Sequence, residues 1–205
     1  ANRRPDPVLQ QVEDFGAPSV TANDCFRPVS RYFDRIVRPE QLLTSLPAAL
    51  RVLTDPAECG PATLALPQDV QAEAFDYPEE FFTPFVHRQR RVRPDRDELA
   101  RAAAALGKAQ RPLIVAGGGA LYSQAEKELE AFARRHGVPV AETQAGKGTL
   151  AWDHPEQVGS IGVTGSSAAN ALAAEADAVL CVGTRLADFT SGSRALFAHP
   201  DVKLI

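Results

Sequence analysis

Leucines at positions 42, 43, 46, 50 and 53 recur with the period of one helical face, so residues 39–54 read as an amphipathic helix with Pro39 in its first turn. Pro47 falls inside this pattern and is expected to start, kink or divide the helix, because proline cannot donate to the carbonyl four residues back. Asp55-Pro56 and Gly60-Pro61 mark a turn. Ala62-Thr63-Leu64-Ala65-Leu66 then reads as a short buried strand stopped by Pro67. Residues 1–75 are therefore read as the C-terminal part of an α/β domain. Pro78, Pro84 and Pro94 interrupt residues 76–94, which read as a linker whose Phe81, Phe82 and Phe85 could anchor it to a neighbouring surface.

From residue 95 onward, apolar runs alternate with helical patterns. Asp95 or Asp97 is placed to cap a helix reaching about Lys108, with Leu99, Ala102, Ala103 and Leu106 on one face. Pro112-Leu113-Ile114-Val115-Ala116 has the length of a buried strand. Ser123-Gln124-Ala125-Glu126 has the spacing of a capping box, opening a helix to about His136 that Gly137 ends. Val138–Glu142 and Ser160–Val163 read as further strands. Ser166 or Ser167 caps a helix through about Ala176, Ala178–Val182 is a strand, and Val202–Ile205 begins another. Continuous apolar strands separated by helices predict a parallel sheet covered on both faces. Residues 95–205 are thus expected to form a Rossmann-like doubly wound α/β domain, truncated at its C-terminus.

Composition narrows the function. A net charge of −4 and a pI near 5.6 argue against nucleic acid as a partner. The basic run His87-Arg88-Gln89-Arg90-Arg91-Val92-Arg93 reads as solvated linker, and Asp69, Asp76, Glu79 and Glu80 as solvated acidic surface. No apolar run approaches the roughly 20 residues of a membrane helix, and no h-region follows the basic start. Cys25, Cys59 and Cys181 are sparse and odd in number, which fits free, buried thiols in a reducing cytoplasm. The chain contains no methionine, and Asp201–Ile205 reads as a strand barely begun, so a segment of a longer protein is expected.

Ligands of doubly wound sheets bind outside the carboxyl ends of the strands. Those ends carry Gly117-Gly118-Gly119, then Gly146 and Lys147, then Thr164, then Gly183 and Arg185. Together they form a candidate pocket for a nucleotide or phosphate, since glycines admit close backbone approach. The dinucleotide fingerprint is incomplete: Gly117 and Gly119 fit, but Tyr122 stands at the third glycine position. Glu142, 23 residues after Gly119, stands where a ribose-binding acid would. The alternative is that the glycines only make tight strand–helix turns. Gly146-Lys147-Gly148-Thr149 lacks the P-loop pattern, because Ala141 stands at the first glycine position. His87, His136, His154 and His199 are scattered without metal-ligand spacing, so no metal site is predicted.

Gly60-Pro61-Ala62-Thr63-Leu64-Ala65-Leu66-Pro67-Gln68-Asp69-Val70-Gln71 resembles the end of the pyrimidine-binding domain in thiamine-diphosphate enzymes of the acetolactate synthase type. Ala116-Gly117-Gly118-Gly119 and Val182-Gly183-Thr184-Arg185 resemble the central domain of that superfamily. Within it, Val8–Gln11, Asn23–Tyr32, Leu53–Glu58, Glu142–Gly148, Trp152–Pro155 and Asp188–Ser193 are similar to the branch of trihydroxycyclohexane-1,2-dione hydrolases of myo-inositol breakdown. Acetolactate synthases carry Asp-Arg where this chain has Phe189-Thr190, and they differ at Glu142–Gly148.

The resemblance implies an enzyme that opens a cyclic dione by C–C cleavage, with thiamine diphosphate as electron sink, and releases 5-deoxyglucuronate. Mg²⁺ and the cofactor are implied to bind mainly outside these residues, since no Gly-Asp-Gly occurs here. Gln10 stands where the synthases carry an active-site glutamine and Arg31 where they carry a lysine, and a structural role for each is the competing reading. The segment alone is expected to be inactive, with no catalytic residue confidently its own. The central-domain pocket is expected to be vestigial, holding neither FAD nor NAD. The substrate is implied to be a small molecule and the whole enzyme a cytoplasmic homodimer or homotetramer. Competing functions are an acetolactate synthase-type carboligase and a nucleotide-binding module without catalysis.

Overall fold

The computed structural model of the chain describes residues 16, 17, 19–88 and 91–205. Its contacts divide it into two units, Ala1–Val92 and Arg93–Ile205.

In the first unit, a 3-10 helix over Ala22–Val29 precedes strand β1 (Tyr32–Arg35), a 3-10 turn at Pro39–Gln41, helix α1 (Leu42–Thr54), strand β2 (Ala62–Ala65), helix α2 (Gln68–Gln71) and a 3-10 turn at Glu79–Phe82. β1 and β2 pair in parallel, from Tyr32 opposite Ala62 to Arg35 opposite Ala65. Helix α1 connects them as a β-α-β crossover. It is continuous across Pro47, so the expected division does not occur. Pro47 is six residues into the helix, and its missing donor leaves only the Leu43 carbonyl without its helical bond. Ser45 and Ala49, four apart, are the buried residues of α1. The Ser45 hydroxyl donates to the Asp34 carboxylate of β1, and Gln41 Nε2 donates to the same group at 2.9 Å. These bonds fix the helix to the strand.

β2 corrects the expectation of a buried strand. Ala62, Thr63 and Leu64 are half-buried, only Ala65 is buried, and Leu66 is 46% exposed. Of the linker phenylalanines, Phe81 packs, its ring stacked on Tyr77 at 5.3 Å. The Tyr77 hydroxyl donates to the Pro39 carbonyl at 2.8 Å and is the actual tether. Phe82 and Phe85 remain exposed, at 68% and 86%.

The second unit contains α3 (Arg96–Gly107), β3 (Pro112–Ala116), α4 (Gly118–Tyr122), α5 (Glu126–His136), β4 (Val140–Glu142), β5 (Gln157–Ser160), α6 (Ser167–Glu175), β6 (Ala178–Val182), α7 (Asp188–Ser191) and β7 (Lys203–Leu204). All five strands are parallel, in the order β5-β4-β3-β6-β7. Alternate residues of β3 point to opposite faces. Leu113 and Val115 join Ala169 and Ala173 of α6 in one core, while Ile114 and Ala116 join Leu129 and Ala133 of α5 in the other. Both faces are covered, which explains the apolar strands.

Asp95 caps α3 by accepting from the main-chain N–H of Asp97 and Glu98, and Ser166 caps α6 by accepting from Ala169 N–H. Gly137 ends α5 at φ +63°. The capping box at Ser123–Glu126 does not form: Ser123 caps the C-terminus of α4, and Ala125 is the N-cap of α5 without a side-chain bond. The strand expected at Ser160–Val163 lies earlier, at Gln157–Ser160, because Gly162 at φ +120° turns the chain out of the sheet.

Candidate functional site

The strand order reverses between β3 and β6, and the crevice beyond their carboxyl ends is where this fold places ligands. The structure brings four of the candidate glycines together there. Gly119 N–H donates to the Gly183 carbonyl at 2.9 Å, and Gly117 N–H donates to the Val182 carbonyl at 2.8 Å. Thr143 N–H donates to the Ala116 carbonyl at 2.9 Å, drawing in the loop that carries Gly146. What these glycines approach is one another. A Cβ on Gly146 would lie 2.2 Å from the Ala116 oxygen, and one on Gly117 would lie 2.4 Å from the Gly183 oxygen. Gly183, at φ +59°, would place its Cβ 2.5 Å from Ala120 N. Close approach of the three loops' main chains to one another accounts for the glycines. Gly118 packs beside Ala145, and Lys147, Thr164 and Arg185 are exposed on the surrounding loops.

Glu142 departs from the ribose-binding expectation for a specific reason. It is 5% exposed, and its carboxylate is turned inward. Oε1 accepts from Leu150 N–H at 3.0 Å and Oε2 from Gln157 Nε2 at 3.3 Å. Glu142 therefore holds the long β4–β5 connection in place. Asn170 of α6 does the same for the loop after β5, accepting from Gly162 N–H and donating to its carbonyl. The segment after β6 is strained: Leu186, Ser193 and Arg194 all adopt positive φ.

Arg31 precedes β1, at the amino end of its sheet, opposite the end where parallel sheets bind ligands. Its guanidinium pairs with Glu58 at 3.3 Å in solvent, and its methylenes cover Gly60. Gln10 lies outside the described residues. The thiols correct the expectation of burial: Cys25 and Cys59 are exposed and Cys181 is half-buried, all three free. Burial pushes the Cys181 thiol up.

The sequence named His154 only as one of four scattered histidines and in the Trp152–Pro155 stretch, and gave no sign of its burial. Its side chain is 4% exposed, with Nδ1 3.1 Å from Glu156 Oε2 and Nε2 3.8 Å from Glu130 Oε1 of α5. Its neighbour Trp152 is 89% exposed. Among the described residues, no group of three or more His, Cys, Asp or Glu side chains could hold a metal ion. Among them too, no helix is long and apolar enough to cross a membrane.

A five-stranded parallel sheet with this order, covered on both faces and closed by glycine loops at its switch point, defines the second unit as a Rossmann-like doubly wound α/β domain. The chain belongs to the thiamine pyrophosphate enzyme family, whose central domain matches residues 99–205. Over its full 205 residues it is 48% identical to the 3D-(3,5/4)-trihydroxycyclohexane-1,2-dione hydrolase of Clostridium tetani and 49% identical to that of Geobacillus thermodenitrificans. Over 197 residues, 96% of the chain, it is 51% identical to the protein of the same name from Shouchella clausii. The chain spans about a third of the length of these relatives, 31–32%.

Proposed function

We propose that the chain is part of a thiamine-diphosphate-dependent hydrolase that opens the ring of trihydroxycyclohexane-1,2-dione by C–C cleavage in inositol breakdown. The observation that carries this reading is sequence identity of 48–51% running through both units to relatives of that name. Thiamine diphosphate and Mg²⁺ belong, in this reading, to the longer protein, as do the catalytic side chains. The 205 residues contribute framework. The first unit completes a neighbouring pyrimidine-binding region, and the second is a spacer domain whose glycine loops are packed shut. The longer protein is a cytoplasmic homodimer or homotetramer acting on a small molecule.

The test compares the 205-residue chain with the full reading frame that contains it. Turnover of the cyclic dione is expected from the longer chain with thiamine diphosphate and Mg²⁺, and none from the segment. Condensation of pyruvate by the longer chain, with no action on the dione, would replace this reading with an acetolactate synthase. Saturable binding of FAD, NAD or ADP by the segment alone would favour a nucleotide-binding module.

A further inference from the structure

Backbone strain is concentrated after β6. Among the described residues, four that are not glycine adopt positive φ: Gln124, and then Leu186 at 46°, Ser193 at 55° and Arg194 at 69°. Gly192, at 56°, adds a further left-handed point. A side chain in this conformation crowds the following carbonyl, and such residues persist where the surrounding structure holds them, often in clamps and switch regions. These points bracket α7 (Asp188–Ser191), with Leu186 before it and Gly192, Ser193 and Arg194 after it. Little burial offsets the strain. From Thr184 to Arg194 only Ser191 is buried, and Phe189 is 67% exposed. Leu186 and Leu196, on either side of the helix, pack against the core that α6 covers.

Main-chain contacts hold the segment in place. Val163, in the loop after β5, donates its N–H to the Phe189 carbonyl at 2.9 Å, and a Cβ on Gly162 would lie 2.4 Å from the same oxygen. Ser193 N–H donates to the Asp188 carbonyl at 3.0 Å, and Arg194 N–H to Ser191 Oγ at 3.1 Å. The segment thus leaves β6 and reaches the loop of β5, although β3 and β4 lie between those two strands in the sheet. Asp188–Ser193 is also one of the stretches that carry the family resemblance, and the proposed function gives it no role.

We propose that residues 187–194 form a strap that alternates between this closed, strained arrangement and an open one. Opening breaks the Val163–Phe189 bond and lets Leu186, Ser193 and Arg194 return to ordinary backbone angles. It frees the loop after β5 from the loop after β6, at the end of the sheet where the fold places ligands. Strain favours opening, and the bonds to Val163 and around α7 favour closure. With so little apolar burial on the closed side, the strap belongs to the low-stability end of the second unit. Because one bond joins the two loops, Val163 opens together with the strap, which separates this motion from fraying of a short helix.

Amide hydrogen exchange resolved to single residues, on the full reading frame that contains the chain, tests the strap. The amides of Val163, Ser191 and Ser193 are expected to share one protection factor, about tenfold or more below that of Cys181 in β6, whose N–H donates to the Ile205 carbonyl at 2.7 Å. Ser193→Gly relieves one left-handed side chain in the closed state and is expected to raise the shared protection about fivefold, with Cys181 unchanged. Gly162→Ala presses a Cβ against the Phe189 oxygen and is expected to lower it about tenfold. Circular dichroism checks that this variant is folded, and if it is not, the wild type and Ser193→Gly decide between them. Protection at the strap equal to that of Cys181 overturns the proposal. So does a Val163 amide that exchanges independently of Ser191 and Ser193, or a Ser193→Gly variant whose strap is no better protected than the wild type's.

Discussion

The two units are both built on parallel strands, yet they bury them differently. In the second unit, Leu113, Ile114, Val115 and Ala116 of β3 are at most 1% exposed, because α5 covers one face and α6 the other. In the first unit, every residue of β1 is half-buried and only Ala65 of β2 is buried. Its core residues among those described are Ile36, Ala49, Ala65 and Val70. A polar clamp does there what apolar layers do in the second unit. Asp34, Ser45 and Gln41 tie β1 to α1 through side-chain hydrogen bonds. The difference teaches where cooperativity resides: a parallel sheet is stable when both faces are covered, and among the described residues only the second unit shows that arrangement.

The largest effect is expected where backbone meets backbone. Gly146→Val would drive a side chain into the Ala116 carbonyl, which is rigid main chain. Loss of more than about 3 kcal/mol in urea unfolding is expected, enough to unfold the second unit. Gly137→Ala is the control, because that glycine needs its positive φ but has open space around it, and a cost of about 1 kcal/mol is expected. Equal costs at the two sites would refute the idea that the loops are packed shut.

Next come the cores. Leu113→Ala, at a site 1% exposed, is expected to cost about 3 kcal/mol. Leu64→Ala, in the half-buried β2, is expected to cost about 1 kcal/mol. Native-state hydrogen exchange provides a second readout, with the amides of β3 and β6 protected more strongly than those of β1 and β2. Equal protection would erase the contrast between the units.

The acid limb of stability sharpens the comparison further. Main-chain N–H donors of Gln110 and Arg111 hold the Asp177 carboxyl below the usual carboxylate value, pinning the turn before β3 to the start of β6. Burial pushes Asp34 upward, but bonds from Ser45, Gln41, the Arg35 N–H and Tyr32 outweigh it and leave it lowered. A carboxyl whose folded value lies below its unfolded value of about 3.9 contributes fully above that pH and loses the contribution as pH falls through the folded value. Asp177→Ala is therefore expected to flatten the acid limb of the second unit and Asp34→Ala that of the first. The check is stability against pH, followed by exchange protection in each unit. A limb unchanged by either substitution would contradict the assignment.

The smallest effect is expected at Arg31. Its ion pair with Glu58 is exposed on both sides, at 59% and 70%, so Arg31→Gln should cost about 0.5 kcal/mol or less. In the longer chain the same variant should leave turnover near wild type. A large loss of activity without loss of stability would place Arg31 at the reaction after all.

Much of the second unit was legible in the sequence because its signals are local. Pro112–Ala116 and Ala178–Val182 form strands over those same residues. Asp95, Ser166 and Gly137 cap their helices as the residue types require. Helix α7 and the short α4 went unread, as each has five residues or fewer and no periodicity to display. β1 was also missed: Tyr32-Phe33-Asp34-Arg35 shows no clean alternation, and its Asp34 is taken up by the clamp with Ser45 and Gln41. The candidate pocket residues were legible as a set, but their purpose was not. Glycine content shows that chains come close, and it does not show whether a ligand or another loop fills the gap.

What the sequence determined by itself is therefore the alternation of strands and helices after residue 95, the caps at Asp95, Ser166 and Gly137, and the kinship carried by its motifs. Each rests on interactions within a few residues, or on residue identities compared directly. Only the tertiary structure decided the strand order β5-β4-β3-β6-β7, the inward turn of Glu142, the burial of His154 and the closure of the glycine loops on themselves. They rest on packing between separate elements, from Glu142 with Gln157, 15 positions apart, to Gly119 with Gly183, 64 apart. Such contacts are set by how the covered sheet packs, and no local pattern along the chain encodes them.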